Sequence, residues 1–113
     1  MKIVKDKISI DDLKQMSEKM FGGLVKAVVD IELEIMAIDA ELHVDEEYLL
    51  LEEGSQQDNL WGINIHPNMP NENWIEFDSM INIRPALGNK SRSVESEHLR
   101  KKIITIVNKL VAK

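Results

Sequence analysis

Five side chains of the types that hold cations or move protons fall at alternate positions. They are Asp39, Glu41 and His43 in D-A-E-L-H-V-D-E-E, and Glu76 and Asp78 in W-I-E-F-D-S. Alternate residues of an extended chain share a face, so two neighbouring strands would gather four carboxylates and an imidazole. No cofactor is evident in the sequence, though such a set could converge on a divalent cation. Without a cation the carboxylates would repel one another, and Arg84 would be the nearest relief. The activity this arrangement would give is that of a metal-dependent, hydrolase-like enzyme. Neither H-x-D-E-E nor E-F-D-S is a specific metal fingerprint, however. A solvated polar sheet face, or a polar dimer interface, accounts for the same pattern.

A second chemistry lies downstream. Arg84 leads into G-N-K-S-R-S, where Asn89, Lys90, Ser91 and Arg92 precede a helix. Backbone amides at a helix start with two cations nearby could hold a phosphate or carboxylate; an ordinary basic surface loop is the plainer account. His43 reads as a structural neighbour of a helix start rather than a general base, His66 as a strand end and His98 as surface. There is no nucleophile elbow and no phosphate-cradling glycine loop. Trp61 shares the parity of Ile63 and Ile65 and belongs to the core. Trp74 falls on the polar parity, which makes it a candidate interface anchor.

These residues need elements to position them. Trp74 to Pro85 (W-I-E-F-D-S-M-I-N-I-R-P) alternates strictly and predicts a long central strand with Ile75, Phe77, Ile81 and Ile83 inward. Leu60 to His66 predicts its hairpin partner across the turn-rich P-N-M-P-N-E-N. Residues 24–42 predict two antiparallel strands turning near Glu32 to Glu34, because β-branched residues dominate Val25 to Ile31. A helix through Met36 is the alternative, since that tip lacks the Gly, Asn or Asp of a tight hairpin. The period of two continues through His43. Lys2 to Lys5 predicts a short edge strand.

Three helices complete the set. Ser9 caps the first, with Leu13, Met16, Met20 and Phe21 as its stripe and Gly22-Gly23 as its stop. Asp45 caps the second, which Gly54 closes. The last begins near Ser93 or Ser96 and carries Leu99, Ile103, Ile106, Val107 and Leu110. The expected order is strand, helix, strand, strand, helix, strand, strand, helix. That is an α+β fold: a two-layer sandwich on a mainly antiparallel sheet of four to five strands, with one face open or closed by a partner subunit.

The chain has 113 residues, one domain's worth, with no cysteine and a net charge of −6. No disulfide framework or thiolate metal site is available. Met1 leads into a stretch too short and charged for a signal peptide, and no apolar run spans a membrane; a cytoplasmic protein is the expectation. Between Lys26 and Arg84 there is no Lys or Arg, while fourteen of the twenty acids lie there. Beyond Arg84 the sign reverses. The net acidity and the scarcity of aromatic rings disfavour nucleic-acid binding.

Taken together, V-K-A-V-V-D-I-E, D-A-E-L-H-V-D-E-E, L-L-L-E-E-G-S, L-W-G-I-N-I-H-P, W-I-E-F-D-S-M-I-N-I-R-P and G-N-K-S-R-S-V resemble a small uncharacterised prokaryotic family, a domain of unknown function. The resemblance covers nearly the whole chain and implies no activity, substrate or site residue. The functional expectation is an interaction or ligand-binding domain, homodimeric through the sheet, with the metal-dependent enzyme as its rival.

Overall fold

The computed structural model describes residues 1–20 and 22–113. Its strands are β1 (Lys2–Val4), β2 (Ile8–Ser9), β3 (Val25–Asp30), β4 (Ile35–Ile38), β5 (Leu60–Ile65), β6 (Ile75–Glu76) and β7 (Val111–Ala112). Its helices are α1 (Ile10–Glu18), α2 (His43–Glu52) and α3 (Glu97–Leu110). The five-stranded sheet runs β1-β4-β3-β5-β6 with every pair antiparallel. The fold is thus α+β, with three helices on a mainly antiparallel sheet, as the residue patterns predict. A small parallel pair, β2 with β7, ties the start of α1 to the end of α3. The sequence reading has no counterpart for it.

Residues 24–42 form the hairpin rather than the helix, with Val28 opposite Ala37 and Asp30 opposite Ile35. Asp30 supplies what the tip lacks. Its Oδ1 accepts from the amides of Glu32 and Leu33 at 2.9 and 3.0 Å, and Glu34 takes a left-handed φ of 56°. Helix caps also follow the sequence: Ser9 Oγ accepts from Asp12 N and Ser96 Oγ from Leu99 N. Of the α1 stripe, Leu13 and Met16 reach the core, and Phe21 lies outside the described residues.

The sheet is covered on both sides. Val25, Ala27, Val29, Trp61, Ile63 and Ile65 face Leu13 of α1 and Ile103, Ile106, Val107 and Leu110 of α3. Val28, Ala37 and Leu60 face Leu50 of α2, with Ile81 beside them. The face expected to be open therefore carries α2.

The long strand over Trp74 to Pro85 is not formed. Only Ile75–Glu76 joins the sheet, at its edge; 3₁₀ turns follow at Met80–Asn82 and Pro85–Leu87, and Arg84 bridges Asn89. Side chains have displaced the ladder. Asn82 Oδ1 accepts from Gly62 N at 2.8 Å, and its Nδ2 donates to Gly62 O at 2.9 Å. Ser79 Oγ accepts from Ile81 N. Local side-chain bonds of this kind compete with strand pairing. The alternation misleads because the segment wraps the sheet edge: Phe77 packs into the first core and Ile81 into the second. Ile83, also expected inward, is exposed.

Among the described residues no helix is long and apolar enough to cross a membrane.

Candidate functional site

Helix α2 is built inside out. His43, Glu46, Glu47 and Leu50 fall at i, i+3, i+4 and i+7 and form its buried stripe. Val44, Tyr48 and Leu51 line the solvent side at 50, 65 and 37% exposure. The residues before it break the extended period: Asp39 adopts a left-handed φ of 69°, and the helix begins at His43, with Leu42 rather than Asp45 at its cap.

Each buried polar group of α2 has a specific partner. His43 Nε2 lies 2.7 Å from the carbonyl oxygen of Ile63. A carbonyl can only accept, so Nε2 carries the proton and Nδ1 keeps the lone pair. Burial holds the His43 pKa below the ordinary histidine value. Glu46 has no solvent exposure. Its Oε2 accepts from Ala40 N at 3.0 Å, and its Oε1 has no partner. Desolvation pushes its carboxyl up to about 9, so it is a neutral acid at pH 7. Glu47 pairs with Arg84 at 2.8 Å. The same guanidinium donates to Leu60 O and stacks over the Trp61 ring at 5.2 Å.

The five residues expected to share a face are split among separate surroundings. Asp39 sits 4.0 Å from the N-terminal amine. Glu41 is exposed in the loop before α2. Glu76 accepts from Asn64 Nδ2 at 3.0 Å and lies 3.2 Å from His66 Nε2; these two bonds hold its pKa below the usual carboxylate value. Asp78 pairs with Arg92 at 2.6 Å. Asp78 comes near enough for its charge to act on the His43 imidazole and on Glu76, and Asn64 Nδ2 donates to both Glu76 Oε1 and the Asp78 carbonyl. Among the described residues no three His, Asp or Glu side chains group as a metal site.

The basic loop is a formed anion nest occupied by the chain's own carboxylate. Glu95 Oε2 accepts from the amides of Lys90 and Ser91, both at 2.8 Å. With the Ser91 side chain, these bonds lower the Glu95 pKa. Asn89 is buried and organises the turn: Nδ2 donates to Asn82 O at 2.8 Å and Ser93 O at 2.7 Å, and Oδ1 accepts from Glu95 N. Arg84 is taken up by Glu47 and Leu60, so it does not face the loop's anion position. Of the five expected anion ligands, Lys90 and Ser91 supply amides to that position, and Arg92 turns to Asp78.

Trp74 is not a surface anchor. It is 3% exposed, packs in the first core, and lies under Lys113 Nζ, 4.0 Å from the ring centroid. Its parity misleads because β6 begins one residue after it, leaving Trp74 free to turn inward.

Recesses open at both ends of α2. One of about 160 Å³ lies at the amino end, where Lys26, His43 and Arg92 meet the apolar Leu42, Val44 and Met80. The other, about 360 Å³, lies between the β3–β4 turn and the carboxyl end and is lined by Asp30, Glu32, Ser55 and Asn59 among others. Nothing in residue type or spacing singles out Glu46, Glu47, Asp30 or Ser55. The spacing of 43, 46, 47 and 50 is a helical stripe, but acids in it read as a solvated face.

No curated protein and no solved structure matches this chain. A family model described as "Protein of unknown function (DUF5674)" matches residues 2–110, and the chain belongs to that family.

Proposed function

We propose that this chain is an interaction domain that self-associates as an isologous dimer through the outward face of α2. The carrying observation is the inversion of that helix. Val44, Tyr48 and Leu51 stand in solvent while His43, Glu46 and Glu47 are buried. A helix on a monomer surface ordinarily has the opposite arrangement. Leu42 and Met80 border one recess with Val44 and so carry the exposed apolar surface beyond the helix. Contiguous apolar surface of this kind marks contact sites.

The rim favours a second copy as the occupant. Asp45, Glu52 and Glu53 are exposed acids on α2; Lys90 and Arg92 are exposed cations on the loop after Gly88. A two-fold axis through the patch sets the acids of one copy toward the cations of the other. Such a contact needs about 800 Å² a side. The surface differs from the sheet face expected from sequence, because α2 occupies that face. A cytoplasmic setting is part of this reading and is supported by the absence of cysteine.

Sedimentation velocity from low to high micromolar concentration tests it. A dimer is expected, with Tyr48→Glu and Val44→Asp giving folded monomers. A wild-type monomer throughout that range overturns the proposal.

A further inference from the structure

The larger recess carries an inference beyond self-association, since none of the apolar residues named for that surface lines it. We infer that it binds a small primary amine in its ammonium form, seated on Asp30 and Ser55.

Asp30 has no solvent exposure. One of its carboxylate oxygens is spent on the turn, accepting from Glu32 N and Leu33 N. The other, Oδ2, is buried with no hydrogen-bond partner. Ser55, 8% exposed, has a buried Oγ that is likewise unpartnered. Both residues line the same recess. Buried polar atoms are ordinarily satisfied, so two unpartnered ones at a single concavity form a seat for a hydrogen-bond donor.

The charge of the surroundings selects a cation. Asp30 and Glu32 are the ionisable residues of the lining, and no Lys, Arg or His is among them. The recess sits at the carboxyl end of α2, whose last turn holds no basic residue; a helix places partial negative charge there. It also falls in the stretch between Lys26 and Arg84 that lacks Lys and Arg altogether.

The number of available oxygens selects an ammonium over a metal ion. Calcium takes six to eight oxygens and magnesium a near-ideal octahedron, whereas Asp30 offers one free oxygen and no third acid joins Asp30 and Glu32 in a metal-holding group among the described residues. An ammonium brings three donors and no acceptor, matching Asp30 Oδ2, Ser55 Oγ and a side-chain amide oxygen of Gln56 or Asn59. A volume of about 360 Å³ also leaves room for a short organic body beside Leu33.

Titration of the ¹⁵N-labelled protein with putrescine, against sodium chloride and magnesium chloride at equal ionic strength, tests the assignment. Saturable shifts are expected at the amides of Ile31 to Leu33 and Gly54 to Gln56 with putrescine alone. Asp30→Asn retains an oxygen for the turn and replaces the free one with an amide that cannot accept, so the shifts should vanish in a folded protein. Ser55→Ala, which breaks no internal bond, should weaken binding about tenfold. Absence of saturable shifts at those amides overturns the inference. So does undiminished binding in both variants, or saturation by magnesium at lower concentration than putrescine.

Discussion

Glu47 and Arg84, 37 residues apart, meet at 2.8 Å with side-chain exposures of 9 and 12%. The pair joins α2 to the segment that leaves the sheet edge, and Arg84 extends the link to Leu60 O and Trp61. Removing one member leaves the other charge nearly buried and unpaired. Glu47→Ala and Arg84→Met should each cost about 3 kcal/mol in denaturant unfolding. The double variant should cost clearly less than their sum, because it strands no charge. Additive effects would show that the two groups act independently.

Stability should fall as pH rises through the neutral range, and Glu46 is the reason. Its folded pKa, about 9, lies far above the unfolded value of 4.5. Between those values the folded state holds a proton that the unfolded state has released. The contribution is full below pH 4.5 and is lost as pH approaches 9. By pH 7 this amounts to roughly 3 kcal/mol at 1.4 kcal/mol per unit. Glu46→Gln, an isostere of the neutral acid, should flatten the decline of Tm between pH 5 and 9. Parallel Tm–pH curves for the two proteins would rule out a buried neutral acid at this position.

His43 acts on the acid side. Its folded pKa is depressed by burial, so its contribution is fully present above the unfolded value near 6.5 and is lost as pH falls from there through the lower folded pKa. Ring-resonance titration should show His43 protonating at lower pH than an ordinary histidine. Its nitrogen shifts at pH 7 should report a proton on Nε2, the atom that meets Ile63 O. A proton on Nδ1 would contradict that bond.

Gly62 marks where the edge segment presses closest to the sheet. A Cβ there would lie 2.6 Å from both Cβ and Oγ of Ser79, while Asn82 bonds the Gly62 backbone on both sides. Gly62→Ala should destabilise by about 1–3 kcal/mol. Ser79→Gly in the same chain should recover part of that loss in a double-mutant cycle. No recovery would place the strain elsewhere.

Much of the fold is legible in the sequence because its signals are local. Val25 to Asp30 and Leu60 to Ile65 are strands from their own periodicity; Ser9, Ser96 and Gly54 delimit helices by satisfying nearby backbone groups. The site was harder to read. Alternation assigned Asp39, Glu41, His43, Glu76 and Asp78 to one face, but a left-handed residue at Asp39 and the edge-wrapping turn after Phe77 each broke the period on which that assignment depended. Carboxylates in a helix read as solvent-facing until a distant arginine or a retained proton makes burial tolerable.

By itself the sequence determined the class of fold, the Ser9 and Ser96 caps, the lone basic loop and the long acid-only middle, and it favoured the hairpin over Val25 to Ile38. These rest on residue type and short spacing, which act before distant parts meet. Only the tertiary structure decided that α2 lies on the second sheet face with its acids inward. It also decided that Glu95 fills the anion nest, that Trp74 is core, and that Asp30 and Ser55 share a recess. Each depends on which surfaces are brought together and desolvated, and no local pattern in the chain encodes that.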